Sequence, residues 1–97
     1  MGDVEAQVDQ VVANSLIALK AVEAGPQDVV RSVIYVVSSD SAVLGAVWWR
    51  FNESELAPAF TAASTLLGVA QLGFGGQLVE LDLTVALPDA GAVECVS

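Results

Sequence analysis

The chain has 97 residues, which is enough for one hydrophobic core and too few for two independent cores, so we expect a single domain over residues 1–97. Twelve acidic residues against three basic ones give a formal net charge of −9, and there is no histidine. This balance argues against nucleic acid as a partner, and one cysteine without histidine argues against zinc or another metal held by nitrogen and sulfur ligands.

The first predicted element is an amphipathic helix from Asp3 to about Glu23. Its apolar residues recur at steps of three and four, and a polar face lies opposite them. Asp3 can cap the first turn, and Gly25-Pro26 ends the helix. The segment DVVRSVIYVVS, residues 28–38, is rich in β-branched residues and predicts a central strand with both faces mostly covered.

A second helix is predicted after several possible N-cap residues between Ser38 and Ser41, and it extends to about Phe51. Trp48 and Trp49 are neighbours in this helix, so their side chains point about 100° apart. One can therefore enter the core while the other meets a different surface, which fits an interface.

The second half of the chain predicts strands. Residues 59–64 are compatible with helix or strand, whereas residues 65–69 favour a strand. The glycine-rich residues 73–76 predict a hairpin turn, and residues 77–87 alternate apolar and polar side chains in the clearest strand of the chain. Residues 88–91 (PDAG) break this strand, and the tail beyond them is either a short edge strand or disordered.

Apolar residues make up 55% of the chain and charged residues 15%. A monomer of this size would have difficulty burying so much apolar surface, so we expect a homo-oligomer. The longest apolar run, Ala42 to Trp49, ends at Arg50 and is shorter than the roughly 18 residues that a membrane span needs. The start, Met1-Gly2-Asp3, lacks the basic and apolar parts of a secretion signal. We therefore expect no membrane association and a cytoplasmic location.

The order of three segments along the chain indicates a family resemblance. They are GDVEAQ leading to SLIALKAV (residues 2–7 and 15–22), DVVRSVIYV (residues 28–36), and STLLGVAQL followed by LVELD (residues 64–72 and 78–82). Together these segments resemble the first helix, the central strand and the closing hairpin of the Rid (reactive intermediate deaminase, YjgF-type) family. The resemblance implies an α+β, chorismate-mutase-like fold, with two helices packed on one face of a mixed sheet. It also implies a trimer with ligand clefts between subunits. We expect no cofactor.

Two departures from the family affect this interpretation. Family members usually carry a strand hairpin ahead of the first helix, whereas this chain begins at the helix. Either the sequence is truncated or another contact completes the sheet, because an exposed central strand would invite aggregation. Deaminating members also place an arginine directly before the Ser/Thr of the closing hairpin, where it binds the carboxylate of a 2-imino acid. Ser64 occupies that position here, and a hydroxyl cannot replace a bidentate cation.

The resemblance implies that Glu80 is the catalytic residue that positions the hydrolytic water. It also implies that Ser64, Thr65 and Leu66 are ligand-binding. The residues themselves leave a simpler alternative open, in which Glu80 and Asp82 form the solvated face of an amphipathic strand and the hydroxyl groups bond to their neighbours. Cys95 has no histidine to activate it, so we assign it no catalytic role.

The favoured function is an oligomer that binds a small metabolite at its subunit interface, without the 2-imino acid deaminase activity. The alternative is a deaminase for an imine or enamine that lacks the usual carboxylate or is bound through Arg31 or Arg50, with Glu80 orienting water. A ribonuclease or translation inhibitor is the least compatible with the charge of −9 and the absence of histidine.

Overall fold

The computed structural model describes residues 2–87 and 92–96 and contains two α-helices and four strands. In chain order they are α1 (Gly2–Ala21), β1 (Val29–Val37), α2 (Ser41–Asn52), β2 (Ala63–Val69), β3 (Val79–Leu87) and β4 (Ala92–Val96). Short 3₁₀ helices lie at Pro26–Asp28 and Ala57–Thr61. The predicted helices and strands are confirmed, while the predicted break at residues 88–91 lies outside the described residues. No helix in the described part of the chain is long and apolar enough to cross a membrane.

The four strands form one mixed sheet in the order β2-β1-β3-β4. β1 pairs with β2 in parallel and with β3 in antiparallel orientation, which confirms the predicted central strand. Because a parallel pair needs a crossover, α2 and the following 3₁₀ helix connect β1 to β2. β4 pairs with β3 and forms an edge of the sheet, so the tail adopts the first of its two predicted conformations.

The hairpin predicted at residues 73–76 is wrong. β2 and β3 lie on opposite sides of β1, so the segment between them passes the carboxyl end of β1 instead of joining two paired strands. Gly76 has a φ of 82°, so the segment does turn. The side chain of Gln7 in α1 holds it in place, donating to the carbonyl of Gly76 at 2.8 Å and accepting from the amide of Leu78 at 2.7 Å.

Both helices pack on the same face of the sheet, as predicted. The core joins alternate residues of the strands to one side of each helix, and Phe51 of α2 is fully buried at its centre. Four residues of β3, at every second position, are buried in it: Val79, Leu81, Leu83 and Val85. This alternation is what an amphipathic strand requires when helices cover one side only.

The two tryptophans of α2 point in different directions, as predicted from their adjacency. Trp48 is half-buried and packs edge-on against Phe60, with ring centroids 5.8 Å apart. Trp49 is 67% exposed. One tryptophan thus anchors α2 to the 3₁₀ helix before β2, and the other is presented on the surface.

Candidate functional site

The candidate site lies on the face of the sheet that the helices leave uncovered. Successive side chains of a strand alternate between faces, and Ile34 and Val36 of β1 belong to the core. Arg31, Val33 and Tyr35 therefore point to the opposite side. We call this side, as formed by β1, β2 and β3, the open face.

Of the four candidate residues, the structure brings only Thr65 and Glu80 to the open face. Thr65 lies opposite Val33, and Glu80 lies opposite Tyr35. Thr65 is exposed, whereas Glu80 is half-buried. Because β1 separates them, their backbones are roughly 10 Å apart across the strands and about 7 Å apart along them. A small imino acid therefore covers only part of the distance between these residues within one protomer.

Ser64 and Leu66 point to the side that faces the helices. The hydroxyl of Ser64 accepts a hydrogen bond of 2.7 Å from the buried Ser32 and donates one of 3.2 Å to the carbonyl of Ala62. Leu66 packs against the hydrophobic core. Within one protomer, the side chains of Ser64, Thr65 and Leu66 therefore point to two different sides of the sheet.

Glu80 also borders a cavity of about 280 Å³ between α1 and β3. Within the described residues, β4 pairs with Leu83–Leu87 and leaves the outer edge of β3 beside Glu80 uncovered. Asn14 of α1 and Gln77 also line this cavity. Sequence reasoning did not find these two residues: Asn14 approaches Glu80 only because α1 packs on β3, and Gln77 precedes β3 without a signal that marks it as part of a site.

The groove between the helices is a separate feature. It has a volume of about 240 Å³, with apolar walls that include Val8 and Val47, and Arg50 lies at its border. This groove is on the helical side of the sheet, away from the open face that presents Glu80 and Thr65.

Arg50 is engaged between the helices. Its guanidinium donates to both carboxylate oxygens of Asp9, at 2.8 and 2.7 Å, and lies 3.5 Å from Glu5. The hydrogen bond from Arg50 lowers the pKa of Asp9, and the same bond raises the pKa of Arg50. Arg50 therefore links α1 to α2 and does not reach the open face.

Arg31 is exposed on the open face, but it is distant from Glu80. It lies four residues before Tyr35, the residue opposite Glu80, which corresponds to about 13 Å along the strand. The remaining cation, Lys20, lies in the last turn of α1. None of the three cations thus stands beside Glu80 within one protomer. The described residues also contain no cluster of three or more acidic or cysteine side chains that could hold a metal ion.

A mixed sheet with two helices on one face and a second face left open defines a small α+β protein of the chorismate-mutase-like class. The chain belongs to the Rid/YjgF family: the family model described as "Endoribonuclease L-PSP" matches residues 1–87. The resemblance seen in the sequence and the predicted fold class are confirmed.

Two solved structures are similar to this chain. One is a Rid-family protein of unknown function from Yersinia pestis, with a TM-score of 0.73 and 34% identity, covering 84% of this chain and 60% of its own. The other is a member of the YjgF/YER057c/UK114 family from Mycobacterium tuberculosis, with a TM-score of 0.58 and 28% identity, covering 70% and 54%. This chain therefore spans less than two thirds of either protein. No curated protein matches it.

Proposed function

We propose that this chain is a cytoplasmic, homo-oligomeric Rid-family protein that binds a small metabolite between subunits and lacks 2-imino acid deaminase activity. One observation carries the proposal: the position of the family arginine holds Ser64, whose hydroxyl is occupied by Ser32 and Ala62. A neutral hydroxyl offers one donor, whereas recognition of a carboxylate by a guanidinium uses two parallel charged hydrogen bonds.

The positions of the other cations support the same conclusion. Arg50 already binds a carboxylate, that of Asp9, on the helical side of the sheet. Arg31 is about 13 Å from the Glu80 position along the sheet. Neither arginine supplies the lost anchor next to Glu80 in the same protomer, so we expect weak binding of 2-imino acids.

The open face supports assembly. Its exposed residues include Leu67, which is 43% exposed, next to Thr65 on the same strand. Covering such a surface with another copy would remove apolar area from water. We propose a trimer, in which a neighbouring subunit closes a cleft over Thr65 and Glu80, residues that one protomer leaves too far apart.

The test is a deaminase assay on the purified chain. We expect that release of ammonia and keto acid from enzymatically generated 2-iminopropionate or 2-iminobutyrate is no faster with the protein than without it. Accelerated release would contradict the proposal. Sedimentation velocity on the same preparation reports the assembly independently of the chemistry.

A second function has one observation in its favour, the surroundings of Glu80. Glu80 is half-buried and borders a cavity that Asn14 and Gln77 also line, and under this alternative its carboxylate orients water towards a neutral imine or enamine. Such a substrate needs no cationic anchor. Under this alternative the chain is a hydrolase acting on a carbon–nitrogen bond.

Glu80→Gln tests this alternative, with Asp82→Asn as the matched control on the same face of β3. We expect Glu80→Gln to abolish turnover of a neutral enamine while the fold and the oligomer persist, and Asp82→Asn to retain activity. An unchanged rate in Glu80→Gln would remove Glu80 from the mechanism.

The charges of this chain do not favour the endoribonuclease activity named in the description of the family model. Phosphate binding depends on clustered cations. Here Arg50 is paired with Asp9, Arg31 lies on the open face and Lys20 lies at the end of α1, within a molecule of net charge −9.

A further inference from the structure

The groove between α1 and α2 is lined by short aliphatic side chains from both helices. Its apolar walls are formed by Val4, Val8, Ala42, Val43, Ala46 and Val47. Ala42 and Ala46 lie four residues apart on the same side of α2, and both are exposed. Because a methyl group fills little space, these two positions leave the groove open, whereas longer side chains would fill it.

The groove has room for a small apolar group. Its volume is about 240 Å³. An apolar cavity of about 150 Å³ can bind benzene, and pockets for drug-sized molecules begin at about 300 Å³. The space therefore suits a phenyl ring with a short chain, or an alkyl chain of similar size.

The carboxylates at the border of the groove favour a cation. The guanidinium of Arg50 donates to both carboxylate oxygens of Asp9, at 2.8 and 2.7 Å, so it is already bound to an anion. Glu5 lines the groove, its side chain is 56% exposed, and it lies 3.5 Å from Arg50, which is long for a hydrogen bond. A ligand cation can thus reach the carboxylate of Glu5 from the solvent.

An exposed tryptophan stands next to the groove. Trp49 is 67% exposed, and together with Glu53 it lines a shallow cavity that shares Glu5, Ala46 and Arg50 with the groove. The two cavities are therefore adjacent. The face of an indole ring attracts cations, so the ring and the carboxylates favour the same sign of charge.

We propose that the groove between α1 and α2 binds a small amphipathic amine, a phenyl ring or short alkyl chain that carries an ammonium group. The apolar part lies over Ala42 and Ala46, and its removal from water favours binding. The ammonium lies at the border, between Glu5 and Trp49. An anion of the same shape is repelled there, because the molecule has a net charge of −9 and Arg50 is bound to Asp9.

This site goes beyond the proposed function. The groove lies on the helical side of the sheet, whereas Thr65 and Glu80 point to the open face. Binding of the amine therefore depends neither on the proposed homo-oligomer nor on chemistry at Glu80, and the deaminase assay does not test it.

The experiment is a titration of the isotope-labelled chain, followed by the chemical shifts of its backbone amides. The three ligands are 2-phenylethylamine, 2-phenylethanol and 3-phenylpropanoate, which are similar in shape and differ in charge. We expect the amine to bind about tenfold more tightly than the alcohol, and the carboxylate to bind more weakly than both. The shift changes should centre on Val8 and Ala46.

Two variants locate the ligand. Ala46→Leu fills the groove, so we expect binding of the amine to weaken at least about tenfold. Ala6→Leu is its matched control, since Ala6 is exposed on α1 and does not line the groove. Glu5→Gln should reduce the preference for the amine over the alcohol, whereas Glu55→Gln, the same change at an exposed residue beyond α2, should keep it.

Several outcomes would overturn the proposal. They are no binding of the amine, tighter binding of the carboxylate, and amine binding that persists in Ala46→Leu. A lower oligomer mass of Ala46→Leu in sedimentation velocity would assign the groove to a second copy of the chain and would also overturn it. If Ala46→Leu does not fold by circular dichroism, the comparison of Glu5→Gln with Glu55→Gln still decides.

Discussion

Substitution of a single glycine by alanine is expected to change the free energy of unfolding in opposite directions at two positions of this chain. A Cβ atom on Gly68 in β2 would lie 2.5 Å from the backbone carbonyl oxygen of Ser38, whereas a Cβ atom on Gly45 in α2 would meet nothing within 4 Å. We expect Gly68→Ala to lower the free energy of unfolding by about 1–3 kcal/mol, because backbone must move. We expect Gly45→Ala to raise it by roughly 0.5–1 kcal/mol, because alanine favours a helix interior.

Urea denaturation of the two variants beside the wild type measures both effects. A Gly68→Ala protein as stable as the wild type would mean that the carbonyl oxygen of Ser38 leaves room for a Cβ atom at position 68. An unchanged or lower stability in Gly45→Ala would show that the exposed side of α2 is covered by another contact.

The pair formed by Asp9 and Arg50 predicts a dependence on pH. The hydrogen bond from Arg50 holds the pKa of Asp9 below its ordinary value of 3.8, so the pair stabilises the folded chain above that value. The contribution is lost as the pH falls through the lowered pKa. We expect a double-mutant cycle of Asp9→Asn and Arg50→Gln to show coupling at neutral pH and none in strong acid. A coupling energy independent of pH would contradict this assignment.

Part of the candidate site is predictable from the sequence alone. Ser64 as the counterpart of the family arginine is a prediction from the sequence alone, whereas the alternation of β3 predicts that Glu80 points away from the core, as it does in the structure. The sequence alone could not bring Asn14 towards Glu80, because these residues meet only when α1 packs on β3. Ser64 and Thr65 are adjacent in the chain, yet the pleat of β2 directs them to opposite sides of the sheet.

At the scale of elements, the connection between β2 and β3 depends on one side chain of α1. The amide of Gln7 makes two hydrogen bonds to this connection, at Gly76 and Leu78. We expect Gln7→Ala to lower the free energy of unfolding by about 1–2 kcal/mol and to speed hydrogen exchange at the amide of Leu78.

Gln10→Ala is the matched control for this prediction. Gln10 also lies in α1, but its side chain bonds to Asn14 in the same helix. Protection of Leu78 should therefore stay unchanged in Gln10→Ala. Equal hydrogen exchange at the amide of Leu78 in both variants would show that the connection keeps its conformation without the side chain of Gln7.

The types and approximate positions of most elements were predictable because their signals are local, although residues 59–64 were compatible with helix or strand and α1 ends at Ala21, before the predicted Glu23. Apolar spacing identified α1, an N-cap at Asp40 precedes α2, and strict alternation identified β3. Strand pairing was not predictable in the same way. The glycines at residues 73–76 indicate that the chain turns, but they do not indicate that β1 lies between the strands on either side of the turn.

At the scale of the whole molecule, the net charge predicts that salt stabilises the protein. The Debye length is about 30 Å at 0.01 M salt and about 8 Å at 0.15 M, compared with a radius of gyration of 13.1 Å. At low salt the carboxylates therefore repel one another across the whole chain. We expect the urea midpoint, at fixed protein concentration, to rise as sodium chloride is added over this range. A falling midpoint would mean that ion pairs such as Arg50 with Asp9 outweigh the repulsion.

The central position of β1 also affects how the chain emerges during synthesis. β1 is complete at Val37, whereas its two neighbours begin at Ala63 and Val79. At roughly 5–20 residues per second, a ribosome releases β1 seconds before the second neighbour exists. Until β2 has been synthesised, both hydrogen-bonding edges of this apolar strand lack a partner strand, and the edge that pairs with β3 lacks one for longer. The nascent chain is therefore a natural client for a chaperone, and slow translation is a hazard for its yield.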